Sequence, residues 1–317
     1  MAGTALTARA VRRRGASGAA IVMAMLLAAL AATIAATLLW QQQRWINEHA
    51  HRRDQVQAQA LAMAGVQWAR QIVNDNAGGG IVDLGQPWAL KLPALPIENG
   101  SITGYIVDAQ SRININNIAG APSAPAPTRT ALQRLFAALA LPPSLLNAIA
   151  DWVDADNLVS EPGGAEDAWY LSQPRPGLAA NAPVRRASEL LAVRGADPGS
   201  IARLLPMVGA LDAPTAVNVN TAAPEVLAAV VGGLDATSAA VLVASRSQAP
   251  FANIADFRAR LPRPDLVVDE TLIDVKSDWF EVTIEARQGD TLARARALLK
   301  RSPAANTWPL VVWQIVE

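Results

Sequence analysis

Six carboxylates, Asp151, Asp154, Asp156, Glu161, Glu166 and Asp167, fall within seventeen residues in the stretch DWVDADNLVSEPGGAEDAWY. Closely spaced acids followed by a Pro/Gly-containing loop can supply the hard oxygen ligands, about six to eight, that calcium takes. The stretch is not an EF-hand, because it lacks the D-x-D-x-D-G spacing and the glutamate at the twelfth loop position. On the residues alone, a cation site and a solvated acidic loop, with Asp151 and Asp154 on one face near a helix end, are equally good readings. Trp152, Trp169 and Tyr170 read as local core that pins the loop. Two of these acids could also serve as the acid/base pair of a glycoside hydrolase. Nothing else supports that chemistry: aromatics are only 5% of the chain and suggest no sugar platform. The chain has no cysteine, hence no thiolate nucleophile, disulfide or Cys-ligated zinc. Its two histidines, His49 and His51, sit two apart on a polar helical stretch, point to different faces and read as solvated surface residues.

The elements that must position the acidic stretch come from a chain of 317 residues, 51% hydrophobic, long enough for more than one domain. A Gly-rich break at Gly78, Gly79 and Gly80 is followed by SITGYIVDAQSRININN, whose alternation around residues 108–111 predicts a hairpin. A Pro/Ala linker at 121–128 leads to a helical region reaching about residue 275, with helix caps expected at Ser144, Ser188, Thr221 and Asp235. Strand patterns return at 279–286, 292–299 and 309–316. The pattern predicts an α+β fold in which a helix and an antiparallel sheet are split by a large helical insertion. Asn114, Asn116, Asn117, Asn218 and Asn220 recur in RININN and NVNTA and are read as capping and turn residues.

Arg9, Arg12, Arg13 and Arg14 precede an uncharged apolar run over 19–39, about one bilayer thickness of helix. The basic flank holds the N-terminus in the cytoplasm and sends the rest across; Trp40 and Trp45 suit the interface. A secretory signal has a shorter apolar run of about 7–15 residues and a small-x-small cut site. Here a helical pattern continues in Ile46, Val56, Ala60, Met63, Ala64, Gln67, Trp68 and Ile72, which predicts one helix from residue 20 to about 74 with these side chains as its apolar stripe.

Residues 218–246, NVNTAAPEVLAAVVGGLDATSAAVLVASR, resemble a helix-hairpin-helix, a module that can hold DNA phosphates on backbone N–H groups at a helix N-terminus. Gly233 takes the first glycine position and Leu234 the wedge, but Asp235 stands at the second glycine and Thr237 at the usual lysine. A carboxylate there repels phosphate and caps the helix itself. The 27 basic and 27 acidic residues balance, and since residues 1–18 hold four of the arginines and no acid, the rest of the chain carries a net charge of −4. A membrane-anchored periplasmic DNA-binding protein is therefore the alternative reading, and no nucleic-acid partner is expected.

A basic leader ending in glycine, a hydrophobic half-helix and an amphipathic half-helix resemble the N-terminus of type IV pilins and type II secretion pseudopilins. The resemblance implies cleavage by a prepilin peptidase between Gly18 and Ala19, with methylation of the new terminus. Gly15 is the competing site, disfavoured because Ser17 and Gly18 would then begin the apolar segment. Most such subunits carry glutamate as fifth mature residue; here it is Met23. That departure, and the interrupted α+β plan, resemble the minor pseudopilin K family (GspK family) of type II secretion systems.

The resemblance implies a leader (1–18), a transmembrane half-helix (19–39), an amphipathic half-helix (40–76) and a pilin-like body (77–120 and 276–317). The body carries an all-α insertion of two SAM-like, helix-hairpin-helix-related modules at 128–213 and 214–275. It also implies calcium, through a family motif DWxDxD followed by GAED and tyrosine, with Asp154, Asp156, Glu166 and Asp167 as ligands and Asp151 as a further candidate. The implied role is structural, not enzymatic: a single-pass inner-membrane subunit with a periplasmic bulk that starts the pseudopilus and sits at its tip. Minor pseudopilins I and J, the prepilin peptidase and the inner-membrane assembly platform are its implied partners, with the secreted substrate or outer-membrane secretin beyond them.

Overall fold

The computed structural model describes residues 16–75, 80–119, 127–302 and 307–317. The leader arginines, Gly15, Gly78, Gly79 and most of the expected 121–128 linker lie outside those residues.

The first helix, α1 (Ala16–Asp75), runs 60 residues without a proline. As far as Gln57 it stands as a compact unit of its own. Ile21, Leu26, Leu30, Ile34 and Leu38 are all more than half exposed there. Among the described residues this is the one helix long and apolar enough to cross a membrane, and none of its apolar window is buried.

From Ala58 the helix belongs to a folded body that runs to Glu317. Its buried face is Ala58, Ala62, Gly65, Val66, Ala69 and Val73. The expected stripe of larger residues is mostly on the other side: Val56, Met63 and Trp68 are exposed, and of that set Ile72 packs on the core. The reason is distance. A Cβ on Gly65 would strike Ile284 and crowd Ile102, so the helix lies too close to the sheet for anything but small side chains on that face.

The sheet beneath it has five antiparallel strands in the order β1 (Leu92–Ile97), β2 (Gly100–Asp108), β9 (Trp279–Gln288), β10 (Thr291–Lys300) and β11 (Leu310–Val316). Alternation along β9 and β10 turns Val282, Ile284, Ala286, Ala293, Ala295 and Ala297 toward the helix. The three C-terminal strands match the sequence pattern. β1 does not, since Pro93 and Pro96 argue against a strand; they are tolerated because β1 is an edge. The turn to β2 places Asn99 at φ 58°, in the left-handed region.

The hairpin expected at 108–111 is absent. Asp108 ends β2, its side chain accepts the Gln110 N–H, and Ala109–Ser111 form a 3₁₀ turn. The following β3 (Ile113–Asn114) pairs in parallel with β4 (Val208–Gly209) instead. A second 3₁₀ turn, Ile115–Ile118, leads toward the helical insertion, which fills the interval between β2 and its neighbour β9.

The insertion contains α2 (Pro127–Ala138), α3 (Pro143–Val153), α4 (Asp167–Leu171) and α5 (Pro198–Leu204), then α6 (Pro224–Val230), α7 (Ala236–Gln248) and α8 (Ile254–Ala259). Short two-residue strands tie it down: β5 (Val217–Asn218) to β8 (Ile273–Asp274), and β6 (Val231–Gly232) to β7 (Val267–Val268). One contiguous core joins α2, α3, α6 and α7, and Arg134 Nη1 donates to the Ala229 carbonyl across it at 2.7 Å.

Of the four expected caps only Asp235 serves, accepting the Ser238 N–H at 2.9 Å; that bond holds its carboxyl below the usual range. Ser144 lies inside α3 behind Pro143, Ser188 lies inside a 3₁₀ turn, and Thr221 precedes α6, which opens on Pro224. Proline at the first helical position sets the starts of α3 and α6, because its fixed φ suits a helix and its missing N–H needs no cap.

The asparagines do more than cap. Asn116 accepts the Val184 N–H and donates to the Val184 and Leu211 carbonyls. Asn114 accepts the Leu211 N–H, and Asn220 both accepts from and donates to Phe251. Each replaces a missing strand partner for backbone groups that would otherwise be buried unpaired.

Candidate metal centre

Helix α3 ends at Val153, and Asp154 closes it by donating its N–H to the Ala150 carbonyl. Asp156 follows in a bend and accepts the Leu158 N–H, while Glu166 sits immediately before α4. The loop between them returns so that carboxylate oxygens of Asp154, Asp156 and Glu166 all lie within 4.8 Å of one another. Gathering anions at a helix C-terminus is unfavourable, since the macrodipole is negative there. The group is also poorly satisfied: Asp154 Oδ1 and both Glu166 oxygens are buried without a hydrogen-bond partner. Burial, then the charges of Asp156 and Asp151, pushes the Asp154 carboxyl up to about 6. Burial, then Asp151, Asp154, Asp156 and Asp167, pushes Glu166 up to about 7. Converging, unpartnered carboxylates of this kind can hold a hard divalent cation, which supplies the missing positive charge.

Of the five residues singled out in the sequence, the structure therefore brings three together. Asp151 is fully buried and spends its oxygens on the Ser160 N–H at 3.0 and 3.2 Å, anchoring the loop. Asp167 accepts the Ala179 N–H at 2.9 Å. Both remain close enough to raise Glu166 electrostatically.

The aromatics hold the loop from behind. Trp152 and Trp169 each meet Tyr170 edge-on, at 5.0 and 4.8 Å, over buried Ala165 and Ala179. Arg194, which no sequence signal marked, completes the clamp. Its guanidinium donates to the Gly164 carbonyl and lies over Trp169, and its N–H donates to the Tyr170 hydroxyl. Gly164 has no room for a side chain, because a Cβ would strike Asp151 Oδ2 and the Ser160 backbone. Gly164→Ala is expected to cost about 1–3 kcal/mol, read as a lower melting temperature by calorimetry; wild-type melting would mean the loop yields easily.

The other residues that the sequence marks lie elsewhere. Gly18, Ala19 and Met23 are exposed on α1, with Met23 at 62% exposure. In the helix-hairpin-helix segment Gly233 adopts φ 82° and Leu234 is buried, while Asp235 occupies the N-terminus of α7 that a phosphate would need.

Two family models described as "Type II secretion system (T2SS), protein K" match residues 111–213 and 217–276. The chain is 33% identical over 243 residues to "Type II secretion system protein K" of Aeromonas hydrophila, covering 70% of this chain and 73% of that protein. To the protein of the same name in Pseudomonas aeruginosa it is 28% identical over 290 residues, covering 88% and 86%. It also matches a chain in the crystal structure of the GspK-GspI-GspJ complex from the enterotoxigenic Escherichia coli type 2 secretion system, with a TM-score of 0.72 and 25% identity, covering 87% of this chain and 99% of that one. Homology over this extent, with the long N-terminal helix and the interrupted α+β body, means that the chain belongs to the type II secretion system protein K family, the minor pseudopilins K.

Proposed function

We propose that this subunit forms the tip of the pseudopilus, packed with minor pseudopilins I and J, and that it works mechanically and not as an enzyme. The observation that carries the reading is Met23. In a pilin-like filament, a glutamate at this position pairs with the amine of the subunit above, since an unpaired charge in hydrocarbon costs about 2.5–3.5 kcal/mol on insertion scales. A subunit with nothing above it has no use for that carboxylate. The bulk of the insertion favours the same position, where the body can meet the secreted substrate or the outer-membrane secretin. The likeness to the protein solved with GspI and GspJ supports those two partners.

In this reading residues 19–39 anchor the subunit in the inner membrane with its N-terminus cytoplasmic, until the assembly platform extracts it. The helical insertion comprises two SAM-like modules used as a protein surface. The acidic loop holds calcium through Asp154, Asp156 and Glu166, with Asp167 and Asp151 positioning the loop or completing the ligand set.

N-terminal sequencing of the chain recovered from membranes, with and without a functional prepilin peptidase, tests the class. The expected result is a start at Ala19 that depends on the peptidase. A cut near Trp40, or none, would remove the basis for the reading.

A further inference from the structure

The face of the sheet turned away from α1 is a cleft of about 810 Å³, closed on its other side by the 3₁₀ turn Ala187–Ala192, the residues just before it and the end of α5. That size suits a few residues of peptide. Its lining contains five arginines against three glutamates. Two of the arginines are already answered: Arg112 by Glu281 at 2.9 Å and Arg294 by Glu285 at 2.6 Å. Arg186 reaches Glu189 only at 3.8 Å. The guanidinium groups of Arg185 and Arg296 make no ion pair among the described residues, although the Arg185 backbone N–H donates to Glu189 Oε2 at 3.4 Å. Arg296 sits in the middle of the floor, directly opposite Thr283 on β9 and Ile315 on β11, while Glu281, Glu285 and Glu317 stand diagonal to it on the same face and none of them pairs with it. Trp313 and Ile315 add an apolar strip, and the Trp313 indole N–H is buried without an acceptor.

We infer that this cleft docks an acidic, extended segment of another protein, its carboxylates taken by Arg185, Arg186 and Arg296 and its apolar side chains by Trp313 and Ile315. Charge complementarity selects the partner. Separate carboxylates can sit at the arginines away from Glu281 and Glu285, whereas those glutamates oppose the continuous charge of a phosphate backbone. The mixture of cationic and aromatic groups is that of a protein interface, where arginine and tryptophan anchor the contact.

The test uses the full chain in detergent micelles and fluorescence anisotropy. The probe is a short labelled peptide alternating glutamate with leucine and alanine, compared with the same peptide carrying lysine for glutamate. The glutamate peptide is expected to bind, and the lysine peptide not. Arg185→Glu with Arg296→Glu is expected to weaken binding roughly tenfold or more, whereas Arg175→Glu, at an exposed arginine outside the lining, leaves it unchanged. If charge reversal lowers the melting temperature, Arg185→Gln with Arg296→Gln carries the comparison, with a smaller loss of the same sign. Equal binding of both peptides, an equal loss in Arg175→Glu, or heparin displacing the peptide with matching affinity would overturn the inference, the last by showing general attraction for polyanions.

Discussion

Calcium is expected to raise the melting temperature of this protein by roughly 5–11 °C when its free concentration is about 100 times the dissociation constant, because that ratio contributes about 2.7 kcal/mol and each kcal/mol moves a body of this size by about 2–4 °C. The basis is the Asp154, Asp156 and Glu166 group, in which Asp154 Oδ1 and both Glu166 oxygens are buried without a hydrogen-bond donor. Glu166→Gln and Asp154→Asn make the prediction two-sided. Each removes a charge that its neighbours repel, so the calcium-free variant should melt higher than the calcium-free wild type, by on the order of 1–3 kcal/mol at pH 7 for Glu166. Each should also lose most of the calcium response. A variant that melts lower without calcium and keeps its response would sink the site.

The same groups fix the sign of the pH dependence. Glu166 and Asp154 carry folded pKa values of about 7 and about 6, above their ordinary values, so between pH 4.5 and 7 the native state binds more protons than the unfolded one. Without calcium, stability should therefore fall as pH rises through that window. With calcium the trend should reverse, since the metal binds the deprotonated form. Asp197, Asp235 and Asp256 are held below the usual carboxylate range by hydrogen bonds, and their contribution is lost only on acidification below the window. A calcium-free profile that is flat from pH 5 to 7 would place these carboxylates in water, contrary to the geometry.

What the sequence could reveal followed the range of the interactions. The apolar run, the last three strands and the acidic stretch are local patterns, and each lies where the pattern put it. The buried stripe of α1 was misplaced because ranking by side-chain size assumes that the largest apolar residues face inward; here a close helix-to-sheet approach at Gly65 selects alanine and valine, and leaves Met63 and Trp68 outside. β1 was hidden by prolines that only an edge strand tolerates, a property of neighbours and not of the segment. Within the acidic loop, spacing alone could not separate the three converging carboxylates from Asp151 and Asp167, because that sorting depends on which backbone N–H groups the fold delivers from Ser160 and Ala179. Arg194, which bonds to the Gly164 carbonyl thirty residues away, left no local trace at all.

Asp108→Ala is expected to lower the melting temperature by roughly 6–20 °C, because it removes the acceptor at the centre of the junction between sheet and insertion. Its Oδ1 takes the Gln110 N–H, and its Oδ2 takes Ser277 Oγ and Thr221 Oγ1 at 2.6 Å and Asn218 Nδ2 at 2.9 Å. Asn218 in turn donates to the Val82 carbonyl, so one carboxylate joins the end of β2, the segment after α1, the start of α6 and the approach to β9. Burial pushes this carboxyl up against the pull of four hydrogen bonds. Truncation leaves several buried donors without a partner, at a cost of about 1–3 kcal/mol each that partial rearrangement holds to about 3–5 kcal/mol in all. Asp108→Asn separates geometry from charge. The hydroxyls of Ser277 and Thr221 can rotate to accept, but the Asn218 amide cannot, so the amide variant should lose stability too, with Asn218→Ala adding much less in that background than in the wild type. The functional consequence follows from where the junction lies. On the proposed reading, Asp108→Ala leaves the N-terminal helix as it is and cleavage before Ala19 should be unchanged, yet an insertion no longer held to the sheet cannot present the fixed surface that the proposed tip position needs, so secretion should fail. Secretion at the wild-type level, with melting within 2 °C of wild type, would show that β pairing and apolar packing alone hold the two parts together.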